Sequence, residues 1–113
     1  MKQKIKLTIE QFYYLTKYIN NKIYSDTFFI DNFYLSENDI LNLKLFLKTS
    51  LKQCIDLQLL IKINPTKLKT FSIEFNQLHC IYELMGLDKF LDAFQICIYE
   101  DLKKQKNSYK LIC

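Results

Sequence analysis

The chain has 113 residues, half of them apolar and a quarter charged, with a formal net charge of +4. That size and balance fit one globular domain, 1–113, with a core large enough to fold unaided, and they exclude a disordered chain. Arginine, valine and tryptophan are absent, and glycine, proline, alanine and histidine occur once each; glycine-rich phosphate loops, multi-histidine metal sites and arginine clamps are therefore excluded too.

Residues 3–9 alternate, with Ile5, Leu7 and Ile9 on one face and Lys4, Lys6 and Thr8 on the other, which is the period of a half-buried strand. The period then lengthens. Phe12, Leu15, Tyr18 or Ile19, and Ile23 recur at helical spacing, and Thr8 with Gln11 fits a capping box, so a helix over 9–23 follows the strand directly. Residues 24–35 are aromatic and acidic without a period and read as a loop with a short strand at 27–30.

Ser36 and Asp39 form a second N-cap pair, and Asn64-Pro65 stops the helix that they open, giving a long helix over 37–63. Ile40, Leu43, Leu47, Cys54, Leu57 and Ile61 line one face of it, interrupted by Ser50. Leu41, Leu45, Ile55, Leu59 and Ile63 form a second apolar set on a different side. Apolar residues on both sides predict burial on more than one side, at the centre of the fold; the alternative is a face that meets a partner.

A second strand over 67–75 carries Phe71, Ile73 and Phe75 on one face and runs into a helix with Leu78, Ile81, Tyr82 and Met85 inward. This unit repeats the type of the first, 66 residues on, with only Gln11 and Gln77 identical at the aligned positions. Gly86 is expected to end the helix at the C′ position, and Asp88 to cap a fourth helix with Phe90, Leu91, Phe94, Cys97, Ile98 and Leu102 as its apolar face. The expected fold is α+β: a small two- or three-stranded sheet packed by about four helices, the long one central.

The four cysteines, Cys54, Cys80, Cys97 and Cys113, are widely spaced with no C-x-x-C pair. They read as reduced thiols, mostly in the core of a cytoplasmic protein, since the N-terminal MKQKIKLTIEQF alternates charges where a secretion signal needs an apolar run. No apolar run is long enough for a membrane span. No pattern of a P-loop, nucleophile elbow or zinc protease is present, and His79 and Cys80 are adjacent on a helix and point about 100° apart, so no dyad, metal site or cofactor is expected. The chain reads as non-catalytic.

Binding is the remaining class. All sixteen basic residues are lysines. Lys44, Lys48, Lys52 and Lys62 fall within an arc of about 80° on the long helix, and Lys67 and Lys69 follow on the adjoining strand. Such a ridge can track a phosphate backbone or meet an acidic protein surface. Tyr24, Phe28, Phe29, Asp31, Phe33 and Tyr34 mark the loop as a second partner-binding element, because Tyr13, Tyr14 and these aromatics are hard to bury together and aromatics dominate interface hot spots. Acidic residues, among them Glu83, Asp88, Asp92, Glu100 and Asp101, offer a counterpart able to oppose a basic groove.

The absent or rare Gly, Ala, Pro, Val, Arg and Trp all have guanine- or cytosine-bearing codons, which points to a low-GC bacterium, its phage or a plasmid. In overall character, a small motif-free single domain in low-GC code, the chain resembles phage and mobile-element accessory proteins such as anti-CRISPR inhibitors. That resemblance transfers no individual residue. It implies an inhibitor or modulator docking on a nucleic-acid-processing protein complex, a ribonucleoprotein nuclease being one such partner. The alternatives are a direct RNA- or DNA-binding regulator using the lysine ridge, and a homodimer assembled through the long helix.

Overall fold

A computed structural model describes residues 2–24 and 35–112, of which 106–112 are described by their backbone alone. Two strands and four helices follow in the order β1 (Lys2–Thr8), α1 (Ile9–Ile23), α2 (Glu37–Ile63), β2 (Leu68–Glu74), α3 (Phe75–Leu87) and α4 (Ala93–Ile112). The architecture is α+β. The strand expected at 27–30 lies outside the described residues, which hold one two-stranded antiparallel sheet.

Alternation decides the sheet. Gln3, Ile5 and Leu7 turn inward from β1, and Phe71 and Ile73 turn inward from β2, with Ile5 opposite Phe71 and Gln3 opposite Ile73. Lys2, Lys4 and Lys6 stay in water on the other face. Each strand passes straight into a helix, as the repeated pattern predicts. At the first junction Thr8 accepts from the Gln11 N–H at 3.0 Å while the Gln11 side chain accepts from the Thr8 N–H at 3.0 Å, satisfying two donors that a helix start leaves bare. At the second junction Glu74 makes no such side-chain cap. The two units share their order of elements and differ in how the helix is begun.

Phe12 joins three elements. Its ring stacks on Phe71 of β2 at 3.9 Å and meets Phe46 of α2 edge-on at 6.2 Å. α2 lies against α1 and α3, burying Ile40, Leu43, Phe46, Leu47, Ser50, Cys54 and Leu57; this is the predicted inner face, with Ser50 in line rather than as an interruption. The turn after α2 is tied back to α1, because the Ile9 N–H donates to Lys67 O at 3.0 Å and the Glu10 N–H to Pro65 O at 3.2 Å. The end of α2 is therefore fixed beside the start of α1.

Three expectations are corrected. α2 is not buried on more than one side: Leu41, Leu45, Ile55, Leu59 and Ile63 are all exposed, since no described element covers that side. Gly86 does not end α3 as a left-handed C′ residue. It sits within the helix without a positive φ, beneath Tyr99, whose hydroxyl would lie 3.4 Å from a Cβ placed there. Asp88 does not cap α4 either, because Asp92 and Gln95 exchange side-chain to backbone bonds of 2.8 and 2.9 Å at that start.

Asp88 faces inward, accepting from the Tyr18 hydroxyl at 2.7 Å and pairing with Lys22 at 3.1 Å. Burial pushes its carboxyl up, but the bonds from Tyr18, the Phe90 N–H and Lys22 outweigh it and hold the group below its ordinary value. Burial, with Asp88 beside it, pushes the Tyr18 hydroxyl far up. The apolar face of α4 is narrower than its sequence suggests. Ile98 and Leu102 are buried, whereas Phe94 and Cys97 are exposed, and Phe90, which precedes the helix, is 88% exposed.

Candidate interaction face

The outward side of α2 combines two features that the sequence presented separately. At 100° per residue Leu41 and Leu59 point the same way, within the arc of Lys44, Lys48, Lys52 and Lys62. Positions 41, 45, 48, 52, 55, 59 and 62 alternate steps of four and three, the spacing of a helix-packing seam. They read Leu, Leu, Lys, Lys, Ile, Leu, Lys. The seam is open. Leu41 is 54% exposed, Ile55 68% and Leu59 72%, whereas Cys54 and Leu57 on the inner side are buried.

At the C-terminal end this seam borders a groove of about 470 Å³ between α2 and the start of α1, lined by Tyr13, Tyr14, Ile55, Leu59 and Lys62. Tyr14 meets Tyr13 edge-on at 5.4 Å and Phe94 of α4 edge-on at 5.6 Å. The Lys17 ammonium stands 5.4 Å over the Tyr13 ring, a cation–π distance. The tie between Ile9 and Lys67 holds this groove in place. A smaller hollow of about 310 Å³ lies at the other end of the helix, beside Ile40, Leu41 and Lys44.

All six predicted lysines are exposed. Four share the outer arc of α2. Lys67 closes the turn after it, its N–H donating to Asn64 O at 3.3 Å, and Lys69 reaches back over the Phe71 ring at 5.8 Å. Of the predicted loop, Tyr24 is described: it follows α1, is exposed, and has the Lys44 ammonium 5.9 Å from its ring. Phe28, Phe29, Asp31, Phe33 and Tyr34 lie outside the described residues. Phe94 is the member of the aromatic cluster that sequence reasoning missed, since its spacing placed it on a core face.

The acidic residues are largely engaged within the fold. Asp39 caps α2 and accepts from Cys80 Sγ at 3.5 Å, Asp92 caps α4, Asp88 is buried, and Asp101 accepts from the Gln11 amide at 2.8 Å. Burial, and then Asp39, push the Cys80 thiol up to about 11, so it stays protonated at neutral pH. The His79 Nε2 stands 3.5 Å from the Glu83 carboxylate, one turn along α3. Among the described residues no cluster of ligand side chains able to hold a metal ion forms, and no helix is long and apolar enough to cross a membrane.

Compared with protein-family models, curated proteins and solved structures, the chain matches none.

Proposed function

We propose that this chain is a small non-catalytic binding protein of the cytoplasm, an inhibitor or modulator that docks through the outer face of α2 on a protein of a nucleic-acid-processing complex. The observation that carries this reading is the exposure of Leu41, Ile55 and Leu59 on the same arc as the lysines. A surface that only tracks phosphates gains little from leucines and isoleucines in water. A protein interface wants apolar anchors at its core with charged residues around them. The four-three spacing favours a helix as the partner's contacting element, with carboxylates opposite Lys48 and Lys52 and apolar residues toward either end.

The same spacing disfavours a second copy. Parallel in-register pairing of two α2 helices sets Lys48 and Lys52 against themselves, and antiparallel pairing centred on Lys52 still sets that lysine against itself. Like charges brought together across an interface cost affinity. The two core cysteines, Cys54 and Cys80, stand as free thiols, in keeping with a reducing compartment.

Direct nucleic-acid binding is the second reading, supported by the exposed lysines of the ridge and by Lys2, Lys4 and Lys6 on the outer face of the sheet. Titration with plain RNA and DNA over a range of salt separates the two. The proposal expects little binding at low salt. A steep loss of affinity with salt, at a slope of roughly −0.7 to −0.9 per phosphate contacted, unaffected by Leu59→Asp, would establish the second reading instead.

A further inference from the structure

The two open edges of the sheet are treated differently. On the β1 side, the Lys6 N–H donates to the Gln105 Oε1 at 2.7 Å and the Gln105 Nε2 donates to Lys6 O at 2.8 Å. One side-chain amide of α4 thus takes the place of a neighbouring strand. These bonds also fix the parity of the ladder. Lys6 points its backbone groups away from β2, so its partner Thr70 points its own away from β1, and so does Ser72 opposite Lys4. The bond from Ile9 N–H to Lys67 O continues the inward-bonding set at the odd positions and agrees.

Among the described residues nothing takes up the N–H and C=O of Thr70 and Ser72. Beside that edge lies a cavity of about 210 Å³ between the sheet and α2, lined by Phe12, Phe46, Ile73, Ser50, Gln53 and Gln77, with the charged Lys2 and Glu74 also at it. Ser50, one of the residues around this cavity, is 1% exposed, and its buried hydroxyl has no hydrogen-bond partner. A buried hydroxyl left without a partner costs stability. A free strand edge and a residue with an unpartnered hydroxyl therefore border the same cavity.

We infer that the β2 edge is a binding site for an extended peptide segment of a partner protein, added as a third strand alongside α2. Its main chain pairs with Thr70 and Ser72. The residue opposite Phe71 or Ile73 points inward, as alternation requires, and carries an amide or hydroxyl to meet Ser50, Gln53 and Gln77. Main-chain bonds supply affinity in this mode and the inward pocket supplies selectivity. A second copy fits less well, because the cavity asks for a polar inward side chain, and a β2 edge paired with itself presents Phe71 there. The site stands whether or not the outer face of α2 binds.

The probe is the capped peptide Thr-Val-Thr-Gln-Thr-Val-Thr, with amide exchange followed by NMR. Expected is slowed exchange at the Thr70 and Ser72 amides on adding peptide. Thr70→Pro removes an outward donor without touching the β1 ladder, a placement proline tolerates at an edge, and should weaken binding roughly tenfold, the equivalent of one lost hydrogen bond. If that variant loses its circular dichroism, Ser50→Ala decides: it should be at least as stable as the parent and bind several-fold more weakly. Unchanged exchange at both amides, equal binding by Ser50→Ala, or protection that grows with protein concentration in the absence of peptide would each overturn the site, the last in favour of a second copy.

Discussion

The two faces of α2 are built from the same residue types and meet opposite fates. Leu43 and Leu57 vanish against α1 and α3, while Leu59 and Ile63, within two turns of Leu57, stand in water. Leucine content does not choose between them. What chooses is register: the turn at Asn64–Lys67, bonded to the start of α1, fixes which side of the helix meets the core. The inner face is then the stability of the domain, and the outer face is apolar surface that the fold does not use.

The largest test of that contrast is mutational. Leu43→Ala should cost about 2–5 kcal/mol in denaturant unfolding, the range for a fully buried leucine. Leu59→Ala should stay within roughly 0.5 kcal/mol, as surface changes do. Comparable losses at the two sites would remove the distinction.

Acid offers a way to loosen the inner packing without altering α2. Asp88 ties α1 to the link between α3 and α4 through Tyr18 and Lys22, and removing one partner of a buried pair costs about 3–5 kcal/mol. Asp88→Asn, which keeps a hydrogen-bonding group, should lose less, roughly 2 kcal/mol near neutral pH. The folded carboxyl lies below its ordinary value of 3.8. Its contribution is therefore complete above that value and is lost as pH falls through the folded one. Stability measured against pH should show the parent's advantage over Asp88→Asn shrinking below about pH 4; a constant gap would mean that the carboxylate's charge does not matter.

Much of this was legible in the chain. Thr8 with Gln11, Ser36 with Asp39, and Asn64-Pro65 are local signals, and local bonds satisfy them in the structure. The inner face of α2 follows from its spacing. Asp88, an aspartate before an apolar run, has the sequence signature of a cap, but the hydroxyl that claims it comes from Tyr18, 70 residues away. Gln105 closing the β1 edge spans 99 residues and carries no sequence signal. The openness of Leu59 could not be read either, since periodicity names the sides of a helix but not which of them is covered.

The smallest expected effect sharpens the role of α3. Gly86→Ala places a methyl at ordinary contact distance from Tyr99 and replaces the poorest non-proline helix former with the best. It should raise stability by about 0.5–1 kcal/mol and leave the outer face of α2 as it is. A loss would show that the Tyr99 ring has no room to give.

The outer face itself is tested most directly by a photo-crosslinking residue at position 59, compared with one at position 104 on α4, followed by mass spectrometry of adducts formed in the native cells. A protein adduct at position 59, absent at 104 and lost when Ile55→Asp is added, is the expected result. An adduct to nucleic acid, a crosslinked pair of this chain, or the same products from both positions would contradict docking through α2.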